Sequence, residues 1–129
     1  MILLDTHVLI WLALEPQKLS RKAKEAIRSA RREGGLAVAG ITLWEMAWLV
    51  ENGRIETKAT IESFVRECVS KVSVLSITPP IAARAVSLPE GFPKDPQDRL
   101  IAATALVEGI ELVTHDGLIR KSGQVPVIW

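Results

Sequence analysis

Five short apolar runs, at residues 1–4, 36–39, 72–77, 112–114 and 125–128, are separated by segments with helical periodicity. Length alone does not distinguish strand from helix in the first of them. A run that is apolar at every position and closed by polar residues is nevertheless what a strand covered on both faces looks like. Strands alternating with helices predict an α/β domain built on a mostly parallel sheet.

Between the runs, Ser20 is a good N-cap for a helix reaching about Glu33, with Ala23, Ala26, Ile27 and Ala30 at helical spacing and Gly34-Gly35 as its stop. Further helices are expected over 7–14, from Thr42 to about Asn52, over 60–71 and over 81–86. Residues 88–94 hold two prolines and a glycine and read as a loop. Asp95-Pro96 then opens a helix ending near Gly109, with Asp as N-cap and Pro at the first helical position.

Size and composition narrow the functional classes. A chain of 129 residues fits one domain, expected to span 1–129, and 48% hydrophobic residues rule out intrinsic disorder. Sixteen Lys and Arg oppose fifteen Asp and Glu, so a nucleic-acid partner would depend on local separation of charge. The basic segment 20–33 offers one such separation, with Arg21, Lys24, Arg28 and Arg31 on one helical face; a solvated face is the plainer reading. The single Cys68 excludes an intrachain disulfide and a Cys-rich zinc site, and points to a reducing, cytoplasmic setting. Asp5 and His7 interrupt the apolar N-terminal stretch, and the clean run 8–14 falls far short of the ~20 residues of a membrane span, so neither a signal peptide nor a membrane helix is expected.

In a parallel sheet, ligands bind beyond the carboxyl ends of the strands. Asp5 closes the first run, Glu45 lies early in the helix after the second, Asp98 lies in the first turn of the long helix, and Asp116 follows the fourth run. Each has a structural explanation taken singly. Thr42-Leu-Trp-Glu45 matches a capping box, Asp98 suits a helix dipole, Asp116-Gly117 suits a turn, and Asp5-Thr6 suits a cap. Together, four acids without cationic partners would repel one another, a conflict that a divalent cation resolves. Oxygen ligands suit Mg²⁺ or Mn²⁺, which points to phosphoester chemistry. Lys94 and Arg99 flank Asp95 and Asp98 and are candidate phosphate contacts. His7 and His115 lack the paired spacing of a zinc helix, and Trp11, Trp44, Trp48 and Trp129 read as core or interface groups.

The opening Leu-Leu-Asp5-Thr6-His7, the Thr42-Leu-Trp44-Glu45 segment, Asp95-Pro-Gln97-Asp98-Arg99 and the Thr114-His115-Asp116 turn together resemble the PIN-domain family, specifically the VapC-type toxins of toxin–antitoxin pairs. The resemblance spans essentially the whole chain. It implies a three-layer α/β/α sandwich with a five-stranded sheet in the order 3-2-1-4-5, and a Mg²⁺- or Mn²⁺-dependent endoribonuclease leaving 5′-phosphate and 3′-hydroxyl ends. By matching position, Asp5, Glu45, Asp98 and Asp116 are the four site acids. Asp5 and Asp98 are expected to bind metal directly, and Glu45 and Asp116 directly or through water. Thr114 supports the fourth acid, with Thr6 and Asp95 in supporting positions. Related sequences often carry His before Asp95 and Phe in place of Gln97, so Lys94 and Gln97 depart from the pattern. Implied partners are an RNA substrate, a cognate antitoxin and a second copy in a homodimer.

Two rival readings differ in class. One is a catalytically silent RNA- or protein-binding module on the same fold. The other is a phosphatase of the haloacid-dehalogenase type, which wants a second Asp two residues after the first, where this chain has His7.

Overall fold

The computed structural model describes all 129 residues. Strands β1 (Ile2–Leu4), β2 (Leu36–Ala39), β3 (Ser73–Leu75), β4 (Leu112–Val113) and β5 (Val127–Ile128) form one sheet in the order β3-β2-β1-β4-β5. Every neighbouring pair is parallel, so all five carboxyl ends lie along one edge. The helices are α1 (Thr6–Leu14), α2 (Arg21–Arg32), α3 (Gly40–Glu51), α4 (Ile61–Cys68), α5 (Pro79–Ser87), α6 (Pro96–Glu108) and α7 (Gly117–Ser122). No helix is long and apolar enough to cross a membrane.

The pleat explains why the inner strands β1, β2 and β4 are apolar throughout. Ile2, Leu4, Leu36, Val38 and Val113 face one core with Val8 and Leu9 of α1 and Ala23 and Ile27 of α2. Leu3, Ala37, Ala39 and Leu112 face the other with Ile101, Ala102 and Ala105 of α6 and Ile119 of α7. Alternate residues thus enter opposite layers, and an α/β/α sandwich of the expected strand order results.

Several local features depart from the sequence expectations. Helix α3 begins at Gly40, two residues before Thr42, so Thr42 lies inside it and the expected capping box does not form. The early start brings the backbone against β3: a Cβ on Gly40 would meet Leu75 O at 3.4 Å. Asp116-Gly117 is more than a turn, because Asp116 caps the short helix α7. Gly34, at φ +91°, lets the chain pass so close to Met1 N that a Cβ would collide there.

Candidate active site

The chain leaves β1 at Asp5, whose side chain caps α1 by accepting the Thr6 N–H at 2.8 Å on Oδ1. Its other oxygen, Oδ2, accepts the Thr114 hydroxyl at 2.7 Å. Asp5 is only 4% exposed, and both carboxylate oxygens are satisfied by neutral donors. Because β1 and β4 are adjacent, the Asp5 and Thr114 turns meet where the strand order reverses, the usual location of a ligand site in such a sheet.

Thr114 Oγ1 also accepts the Asp116 N–H at 3.0 Å, and Asp116 Oδ1 accepts from Leu118 N and Ile119 N at 2.8 and 3.0 Å. On the other side of Asp5, Thr6 Oγ1 donates to Glu45 Oε1 at 2.8 Å and lies 2.9 Å from Thr42 Oγ1. A threonine hydroxyl has one proton to give, so with Thr6 donating to Glu45, Thr42 donates to Thr6. Glu45 is therefore held by a relay of two buried hydroxyls. Thr42, which the sequence pattern places in a cap, is instead part of the site's support; its spacing three residues before Glu45 is the signal in the sequence that links the two.

Asp95 caps α6, accepting from Gln97 N at 2.8 Å, and thereby sets Asp98 one turn in. Asp98 senses the charges of Asp5, Asp95, Asp116 and Glu45. Burial first, and then those four carboxylates, push it up to about 7. Glu45 is also raised to about 7, by burial, against the Thr6 hydrogen bond and with help from Asp5 and Asp95. None of these acids pairs with Lys or Arg: the three Lys or Arg ion pairs are Lys18–Glu15, Arg21–Glu25 and Arg66–Glu62.

The Arg99 guanidinium, a candidate phosphate contact, donates to Pro93 O at 3.0 Å, Ala85 O at 3.1 Å and Leu88 O at 3.2 Å. Those carbonyls belong to the end of α5 and the following loop, and an arginine fork satisfies several at once. Lys94 is exposed and lines a shallow cleft with Ala82, Val86 and Leu100 on the α5 side of α6.

His7 and His115 are also part of this edge. His7 Nε2 accepts the His115 backbone N–H at 3.0 Å, and its Nδ1 lies 3.7 Å from Asp5 Oδ2. Burial lowers the His7 pKa against the opposing pull of Asp5. His7 meets Trp11 edge-on at 4.9 Å, and His115 lies 5.0 Å from Trp129. A cleft of about 380 Å³ opens at His7 and Trp11 and is lined further on by Lys18, Leu49 and Arg54.

The donor chemistry fits a hard divalent cation: oxygen ligands only, uncompensated by protein cations, with Glu45 and Asp98 both raised to about 7, by burial first and by neighbouring carboxylates second. No three His, Cys, Asp or Glu side chains close into a preformed ligand cage.

Residues 2–123 match the PIN domain family. The chain is 46% identical over 120 residues to Ribonuclease VapC22 of Mycobacterium tuberculosis, covering 93% of this chain and 90% of that protein. Among solved structures it resembles a toxin–antitoxin complex from Klebsiella pneumoniae (TM-score 0.63, 26% identity, 90% and 87% of the two chains). It also resembles VapBC2 from Rickettsia felis bound to a promoter DNA fragment (TM-score 0.74, 17% identity, 98% and 97%), a likeness of fold.

Proposed function

This chain belongs to the PIN-domain family, and from that membership we propose that it is an endoribonuclease, the toxin of a toxin–antitoxin pair, dependent on Mg²⁺ or Mn²⁺. The observation that carries the reading is the meeting of Asp5, Glu45, Asp98 and Asp116 at one sheet edge without a Lys or Arg partner. Its relative's name, Ribonuclease VapC22, supports RNA as substrate, and the toxin–antitoxin complex supports an antitoxin as partner.

Asp5 and Asp98 would hold the metal directly, with Glu45 and Asp116 joining directly or through water. When bound, the ion supplies positive charge that activates water and stabilises the leaving oxygen. Thr114 and Thr6 fix the orientation of Asp5 and Glu45, so the carboxylates need not reorganise as charge develops. Water attacks phosphorus and gives a proton to Glu45, the bond to the 3′ oxygen breaks, and that oxygen leaves as an alkoxide that takes a proton from solvent water to become the hydroxyl. Trp44 and Trp48, 52% and 44% exposed on α3, provide an apolar face for a second copy in a homodimer. The setting is cytoplasmic.

The test is cleavage of RNA by purified protein with Mn²⁺, against Asp98→Asn, which keeps size and removes charge. The variant is expected to lose about 100-fold or more in rate. Equal rates would overturn the assignment.

A further inference from the structure

The two acid-bearing turns belong to segments more than a hundred residues apart in sequence, and a side chain outside the carboxylate set ties them together. The His115 N–H donates to His7 Nε2 at 3.0 Å. A ring nitrogen that accepts a hydrogen bond carries no proton, so the proton of neutral His7 sits on Nδ1. That nitrogen is the one facing Asp5 Oδ2, at 3.7 Å. Trp11 fixes the ring plane by its edge-on contact at 4.9 Å. His7 therefore has its backbone beside Asp5, its ring in an edge-on contact with Trp11, and its acceptor on the amide immediately before Asp116.

Geometrically, this is a second tie beside the Thr114 hydroxyl bond to Asp5. Thr114 orients one carboxylate oxygen. The His7 tie instead holds the whole turn, because it grips the backbone between Thr114 and Asp116. Two acids that must share an ion are sensitive to such outer support, since a small change in their separation alters how well they share it.

We propose that His7 is a positioning residue, fixed as the Nδ1–H tautomer, that clamps the β4–α7 turn to the β1–α1 turn and sets the spacing of Asp5 and Asp116. The role of this spacing in metal binding rests on the proposed function; the clamp itself does not.

The experiment has two arms on the full chain. In metal-free protein, long-range ¹H–¹⁵N spectra are expected to show His7 protonated at Nδ1 and bare at Nε2, with the His115 amide protected from exchange. His7→Phe keeps a ring and loses the acceptor; His115 amide exchange is expected to quicken about ten-fold or more and Mn²⁺ affinity by calorimetry to fall about ten-fold. His7→Gln, whose Oε1 can take the place of Nε2, is expected to recover most of both. A proton on Nε2 in the wild type, or an unchanged His115 amide in a folded His7→Phe, overturns the clamp. A protected amide and Nδ1–H tautomer in a wild type that binds no Mn²⁺ would uphold the clamp and overturn the metal reading instead.

Discussion

Thr114 donates its hydroxyl to Oδ2 of Asp5 at 2.7 Å, a bond between residues 109 apart in sequence and both almost fully buried. The same Thr114 oxygen accepts the Asp116 N–H. Thr114→Val, nearly equal in volume, removes both interactions and leaves a buried carboxylate oxygen without its donor. The expected loss of stability in urea denaturation is about 1–3 kcal/mol. RNA cleavage should fall as well, and Thr114→Ser, which keeps the hydroxyl, should restore most of both.

Mutual repulsion among the site acids makes a prediction opposite to the usual effect of a buried substitution. Glu45→Gln is expected to leave the metal-free protein at least as stable as wild type, because it removes one of the charges that raise Asp98. The same variant should lose Mn²⁺ affinity and cleavage. Melting curves with and without Mn²⁺ check this: the wild type should gain more from the ion than the variant does.

The pH dependence of stability follows from the same acids. Glu45 and Asp98 titrate near 7 in the folded chain and at ordinary carboxyl values when unfolded, so the folded state holds more protons between those limits. Their stabilising contribution is complete below the unfolded values and is lost as pH rises through about 7. His7, lowered by burial, works in the opposite sense below its unfolded value of about 6.5. With two acids against one imidazole, the melting temperature of metal-free protein is expected to be lower at about pH 8 than at about pH 5, and saturating Mn²⁺ should remove most of the difference at the higher pH.

Arg99 separates structural from substrate-binding cations. Its three carbonyl partners tie α6 to the end of α5 and the following loop. Arg99→Gln should destabilise the chain by about 2–4 kcal/mol, since charged hydrogen bonds and half-buried carbonyls are lost together. The KM of the folded variant for RNA should stay at the wild-type value; a large rise in KM at unchanged stability would make Arg99 a phosphate contact.

The exposed tryptophans of α3 provide the test of the dimer. Trp44→Lys with Trp48→Lys is expected to convert a dimer to a monomer in light scattering at micromolar concentration, with the helical circular dichroism retained. A wild type that is itself monomeric at that concentration would overturn the homodimer.

The strand runs were legible because residues covered on both faces must be apolar at every position, and a parallel sheet imposes that on all its inner strands. Asp95-Pro96 was equally plain, since a cap and a first-turn proline act within a few residues. The start of α3 is not legible in the sequence because Thr42-Leu-Trp-Glu45 satisfies a local capping rule, whereas the helix begins two residues earlier at Gly40, packed closely on β3. Helix α7 is not legible in the sequence because six residues carry too little periodicity to separate a helix from the Asp116-Gly117 turn.

For the site, the sequence by itself determined which acids lie at strand ends and helix starts, because chain direction and the alternation of elements bring those positions to one edge. It did not determine what each neighbouring polar group would bond. Arg99 stands beside Asp98 in sequence, yet its side chain reaches three carbonyls of another segment. His7 and His115 are far apart in sequence and meet through an amide. Strand placement follows from local apolar patterning, whereas a side chain's hydrogen-bond partner depends on the direction in which its helix or turn projects it. That direction is settled only when the layers have packed.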